Sequence, residues 1–197
     1  MSRTTRVPAA PITGLYGALV KVFCKRMFGE VPDQLGVMFQ HKPVLKTFMG
    51  LGAKARKWHA CDPSLKSFAH MAVASLVGCS FCLDLGYFQA RNENLDVDKA
   101  REVPRWREVD VFTPLERDVL EYAEGMTHTP PTVTDALSAR LLAALGAPGL
   151  VELTAYVAMA NLMSRANTAL GIESQEFAAA CGLRPLAQPT AVVLSPA

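Results

Sequence analysis

LKSFAHMAVASLVGCSFCLDLGYFQAR, residues 65–91, is the stretch that decides the fold. Its first half is an apolar, alanine-rich run of helical character that opens on Pro63, a favoured first-turn residue. Gly78 is a natural helix stop, and Ser80 can cap the helix that follows to about Arg91. Cys79 therefore falls at a helix end, and Cys82 falls in the first turn of the next helix. The Cys-x-x-Cys spacing admits three states: a tight disulfide, a metal site or two buried thiols. Redox chemistry needs a thiolate, and the unpaired N–H groups of a helix N-terminus stabilise one. Zinc needs four ligands, and Cys61, His59, His70 and His128 form no second spaced pair to complete a set. No metal or other cofactor is expected.

Outward from this centre the chain reads as helices throughout. Helices are predicted over residues 14–28, 33–39 and 44–58, the first with Leu15, Leu19, Val22 and Met27 on its apolar face. Residues 92–110 read as a polar loop with a helical turn near Asp98. Thr113-Pro114-Leu115-Glu116 is a capping box with proline at the first helical position, which starts a helix to Met126. Further helices are expected over 134–145 and 149–170, separated by Ala147-Pro148, with a short turn over 174–181. No segment alternates in the manner of a hairpin strand, so the fold class is all-α. Residues 69–76 and 155–162 share an A-x-x-A-x-A-x-L pattern, by chance in an alanine-rich chain or as two equivalent central helices.

The domain is expected over residues 13–183, with a flexible arm at 1–12 and a Pro- and Ala-rich disordered tail at 184–197. Half of the 197 residues are hydrophobic, enough for a sizeable core. A net charge of +2 with scattered basic residues gives no reason to expect nucleic acid or an anionic membrane surface. No secretory signal and no run of eighteen uncharged apolar residues is present, so a cytoplasmic location is expected. Five cysteines, an odd number, do not suit a secreted disulfide framework, and Cys24 and Cys181 read as core thiols.

The combination of an alanine-rich helix, small-Gly-Cys-x-x-Cys and an amphipathic helix resembles the core of the carboxymuconolactone decarboxylase and alkyl hydroperoxidase D superfamily. RMFGEVPDQLGVM, HKPVLKTFMGLG, LERDVLEYAEGMT and LVELTAYVAMANLMSRANTALGI extend the resemblance over roughly residues 25–175. It implies an AhpD-like helical bundle, assembly as a homo-oligomer (trimer or hexamer), and a disulfide cycle. In that cycle Cys82 attacks a hydroperoxide, Cys79 resolves the sulfenic acid, and a thiol reductant protein restores both. Two positions depart from the hydroperoxidase pattern. Its relay glutamate falls at Ser67 and its relay histidine at Gly86, and neither residue can deprotonate a thiol. His70, on the helix face of Ser67 and one turn nearer the pair, is the candidate replacement as base or charge partner.

Other residues are assigned lesser roles. Asp84 lies close enough to raise a thiol pKa; Glu152 reads as helix-start electrostatics; Asn161, Arg165 and Asn167 approach either the cysteine site or a subunit contact; His59, His128 and Trp106 read as surface or packing. The functional expectation is a thiol-dependent peroxidase or disulfide reductase acting on a hydroperoxide or other small molecule. Its rivals are a carboxymuconolactone decarboxylase-like enzyme and a non-catalytic, redox-switched oligomeric protein.

Overall fold

A computed structural model describes residues 5–189, with the side chains of residues 27 and 28 excepted. The described residues form an all-α bundle: α1 (Gly14–Phe28), α2 (Asp33–Met38), α3 (Lys42–Ala55), α4 (Pro63–Val77), α5 (Ser80–Asn92), α6 (Val97–Glu102), α7 (Pro114–Thr127), α8 (Asp135–Leu170) and α9 (Phe177–Ala180). Of the expected arm and tail, residues 1–4 and 190–197 lie outside this description. Within it, the Arg6 amide donates to the Leu170 carbonyl (2.9 Å) and the Ala187 amide donates to the Arg101 carbonyl (3.0 Å).

The centre of the bundle is α4, because its sequence has almost nothing that must stay in water. Leu65, Phe68, Ala69, Met71, Ala72, Val73 and Ala74 are all buried. Its alanines let α5, α7 and α8 approach its backbone closely, and all three pack on it. The Phe68 ring meets Phe112 edge-on at 5.7 Å. Asp62 starts the helix by accepting the Ser64 amide (2.7 Å), and Gly78 ends it in the left-handed conformation (φ 75°). The A-x-x-A-x-A-x-L echo does bring α4 and α8 together, but not as equivalents. Ala69, Ala72 and Ala74 are buried, whereas Ala155 and Ala158 are exposed.

The capping box forms as read, with Thr113 and Glu116 bonding each other's backbone amides. The helix α8 breaks where expected, since Gly146 takes φ 67° and Pro148 follows it. By length and composition α8 could cross a membrane. In the bundle its Leu153, Val157 and Ala160 are buried in the principal core.

Several expectations are corrected. Residues 92–110 are more helical than their polarity suggests. Asp96 caps α6 through the Lys99 amide (3.0 Å), and a 3₁₀ segment, Val103–Glu108, follows. Trp106 anchors that segment, buried and donating its indole N–H to Glu124 (2.7 Å). The apolar face of α1 is also inverted. Leu15, Leu19 and Val22 are exposed, and Val20 and Cys24 pack instead with Leu35, Met38, Phe39 and Leu45. Gly17 permits this, because a Cβ there would lie 3.3 Å from the Phe39 ring. The sequence carries apolar residues on both faces of α1, and the close approach of Gly17 to Ile12 and Phe39 favours the face with Val20 and Cys24.

Glu152 does more than favour a helix start. Its carboxylate accepts from Lys66 Nζ (2.6 Å) and from the Ala60 amide (2.7 Å), with both charged side chains only 8% exposed. Lys66 also donates to the Trp58 carbonyl (2.7 Å). Gly149 allows the approach, since a Cβ there would sit 3.1 Å from the Ala60 carbonyl oxygen. The pair thus ties α4, α8 and the 58–61 segment together. Replacing one partner strands the other as a buried charge, which costs about 3–5 kcal/mol. Lys66→Met should lower stability by that amount in urea titration. Lys66→Met with Glu152→Gln, which keeps the acceptor for Ala60, should recover most of it. Equal stability of the single variant and the parent would contradict this account.

Candidate active site

Cys79 and Cys82 are joined as a disulfide, with Cα atoms 5.3 Å apart. The local sequence makes this geometry. Gly78 in its left-handed conformation turns the chain out of α4, and Cys79 becomes the N-cap of α5. The Cys79 sulfur accepts the Cys82 backbone amide at 3.3 Å, the position a serine or aspartate oxygen would normally fill. Ser80, expected to cap this helix, is its first residue instead, and its hydroxyl accepts the Ser174 amide (3.1 Å).

Both sulfurs belong to nearly enclosed residues, Cys79 at 1% and Cys82 at 3% exposure. They differ in what they face. Cys82 lines a cleft of about 940 Å³ whose walls come from α3, α4, α5 and α8, and Cys79 does not. Phe81, Leu85, Met159 and Met163 give the cleft an apolar wall, while His70, Gln34 and Asn167 contribute polar groups near Cys82.

His70 and Gly86 form one unit. The His70 ring runs along α5, with Nε2 3.3 Å from the Cys82 carbonyl oxygen. A carbonyl only accepts, so Nε2 carries the proton and Nδ1 is the ring's acceptor. Burial pushes the His70 pKa below its ordinary value, and the hydrogen bond to Cys82 opposes this less strongly. The imidazole is therefore neutral at pH 7, which suits a base and not a cationic partner for a thiolate. A Cβ at position 86 would lie 2.9 Å from Met71 Cγ and 3.2 Å from His70 Cδ2. The glycine thus makes the space that the His70 ring and the fully buried Met71 occupy. Ser67 lines the same cleft on the adjoining turn of α4.

The remaining candidates separate cleanly. Asp84 is spent on α9: it accepts the Ser174 hydroxyl (2.8 Å) and the Phe177 and Ala178 amides (both 2.9 Å). Asn161 and Arg165 share a face, but they turn to the end of α7, donating to the Thr127 hydroxyl (3.0 Å) and carbonyl (2.6 Å). Asn167 alone of the three reaches the pair, with Nδ2 3.3 Å from the Cys82 sulfur. Its Oδ1 accepts from Gln34 Nε2 at 2.6 Å. Val157, Ala160, Ser164 and Asn167 form the buried stripe of α8. A polar residue continuing an apolar stripe was the signal available for Asn167. Gln34 had none, because its partner lies far away in the chain.

Cys24 and Cys61 are buried and burial pushes both thiols up, Cys61 to about 11. Burial keeps both protonated at neutral pH, as the expectation of a core thiol for Cys24 had it, whereas Cys181, expected in the core as well, is only partly buried. His59 and His128 are exposed, His59 at the rim of the cleft. Among the described residues, no three His, Cys, Asp or Glu side chains are grouped to hold a metal ion.

The all-α bundle with a Cys-x-x-Cys pair between two helices fits the carboxymuconolactone decarboxylase and alkyl hydroperoxidase D superfamily. The model of the carboxymuconolactone decarboxylase family matches residues 42–125, and the chain belongs to that family. It is 39% identical to the uncharacterized protein YnjA of Escherichia coli over 127 residues, 64% of this chain and 70% of that one. The fold is also similar to the alkylhydroperoxidase AhpD core of Ralstonia eutropha, an uncharacterized peroxidase-related protein, with a TM-score of 0.75. That match has 16% identity over 88% of this chain and 94% of the other. The debrominase Bmp8 gives a TM-score of 0.74 at 18% identity, covering 91% and 96% of the two chains.

Two predictions follow from the His70–Gly86 unit. Helix propensity alone makes Gly86→Ala stabilising by about 1 kcal/mol. The contact with Met71 reverses that sign, so thermal unfolding should occur at a lower temperature than in the parent. A higher melting temperature would show the space is not needed. Separately, the unfolded chain takes up the His70 proton more readily than the folded one. That contribution to stability is intact above the ordinary histidine pKa of 6.5 and is lost as pH falls below it. Calorimetry from pH 7.5 to 5.5 should show a decline in melting temperature that His70→Gln flattens.

Proposed function

We propose that this chain is a dithiol peroxidase of the cytoplasm that reduces organic hydroperoxides, with Cys82 as nucleophile, Cys79 as resolving residue and His70 as base. The observation that carries the reading is the asymmetry of the pair: Cys82 is in the wall of the cleft and Cys79 is bonded behind it. A cleft of about 940 Å³ with an apolar wall is far larger than hydrogen peroxide needs, which favours a hydroperoxide with an organic body.

In the reduced protein, the Cys82 thiol proton passes to the neutral His70 imidazole. The thiolate attacks the distal oxygen of the hydroperoxide, the O–O bond breaks, and Cys82 becomes a sulfenic acid. The departing alkoxide takes the proton from His70 and leaves as an alcohol. The Cys79 thiolate then attacks the Cys82 sulfur, expelling hydroxide, which leaves as water with the proton given up by Cys79. A dithiol carrier protein reduces the disulfide and is itself oxidised. Exposed Leu15, Leu19 and Val22 on α1, with Val151 and Leu162 on α8, support self-association of the chain.

Peroxide consumption with a dithiol reductant tests the proposal. One alcohol should form per two thiols lost, Cys82→Ser should abolish turnover, and Cys79→Ser should trap sulfenic acid at Cys82. Reversible oxidation without turnover would overturn the peroxidase in favour of a redox switch. Lactone-acid decarboxylation that survives Cys82→Ser would overturn it in favour of the decarboxylase.

A further inference from the structure

We infer that Asn167, oriented by Gln34, is the group that holds the Cys82 thiolate in the reduced protein and decides that Cys82, and not Cys79, presents the reactive sulfur. This deepens the reading of Cys82 as nucleophile, on which it rests, without depending on the substrate.

Three elements converge to make the contact: Gln34 from α2, Asn167 from α8 and Cys82 from the first turn of α5. The orientation of the Asn167 amide is determined by its neighbours. A disulfide sulfur has no hydrogen and only accepts, so the Asn167 group facing it, 3.3 Å away, is the N–H. Gln34 agrees from the other side, since its amide nitrogen donates to Asn167 Oδ1 at 2.6 Å. Asn167 is only 3% exposed, so its amide cannot turn to water. The two amides form a polarised chain that ends on sulfur.

The bond is unequal across the redox states. A disulfide sulfur is a weak acceptor, whereas a thiolate is a charged and strong one. Asn167 therefore stabilises the thiolate form of Cys82 selectively and lowers its thiol pKa. Without it, the helix N-terminus would favour Cys79, whose sulfur accepts the Cys82 amide at 3.3 Å. That thiol does not line the cleft. The hydrogen bond from Asn167 thus places the negative charge on the sulfur that substrate can reach. It acts where the relay glutamate and histidine of the resembling hydroperoxidases are replaced by Ser67 and Gly86.

The test is the pH profile of Cys82 alkylation by iodoacetamide, read by peptide mass spectrometry on the reduced full chain in a Cys79→Ser background. It uses no peroxide, so it can fail while the peroxidase reading stands, and the reverse. Asn167→Ala should move the profile to higher pH and slow alkylation at pH 7 by about tenfold. Asn167→Asp keeps the shape and puts a carboxylate against the sulfur, and should slow it further. Gln34→Ala, which frees the amide to turn, should give a smaller shift in the same direction. Should Asn167→Ala not fold, Asn167→Asp carries the test by itself. A profile unmoved in folded Asn167→Asp would overturn the proposal, because a merely structural role changes stability and leaves the thiol pKa in place.

Discussion

The bond from the Cys82 amide to the Cys79 sulfur is the interaction on which the site depends. It uses a cysteine where a helix normally carries an oxygen cap, so one atom both starts α5 and forms half of the disulfide. With Gly78 turning the chain ahead of it, this cap fixes the direction of α5 and sets Cys82 on the side of the cleft. The helix N-terminus lies against the pair in any redox state, because the amides belong to the backbone and do not have to be recruited.

The surroundings supply what that turn lacks. The apolar α4 gives α5 a floor, and His70 reaches from it to the Cys82 backbone carbonyl. Gly86 is then intelligible as space for His70 and Met71. Gln34 and Asn167 bring polar contact from the opposite wall. Lys66 lines the same cleft, and its pair with Glu152 ties down the 58–61 segment, whose Trp58 and His59 line the cleft as well. His70, Asn167, Lys66 and Glu152 are polar and at least half-buried, and each has a partner, as burial requires.

What could be read from the sequence was local. Gly78, the Cys-x-x-Cys spacing, the Thr113–Glu116 capping box and the break before Pro148 are all determined by neighbours within four residues, and all appear where expected. The all-α fold and the family follow from them. What could not be read was pairing across the chain. Local sequence shows Glu152 only as a helix-start charge, because Lys66 is 86 residues away. Asp84 looked close to the thiols in sequence, yet its carboxylate is occupied by α9, more than 90 residues on. The packed face of α1 is not legible locally because both faces are apolar and its partners, Leu35, Met38, Phe39 and Leu45, lie further along the chain. Asn167 and Gln34 belong to the same class: the pattern marks one as buried and cannot say what it touches.

The central claim is that Cys79 and Cys82 form a dithiol that delivers two electrons to an organic hydroperoxide through Cys82. The most direct measurement is a single-turnover experiment on the fully reduced chain with one equivalent of cumene hydroperoxide, followed by peptide mapping and quantitation of cumyl alcohol. The account predicts one Cys79–Cys82 disulfide per alcohol formed, with Cys24 and Cys61 still reduced. A chain whose Cys79 and Cys82 thiols survive intact, or whose oxidation yields no matching alcohol, would contradict it.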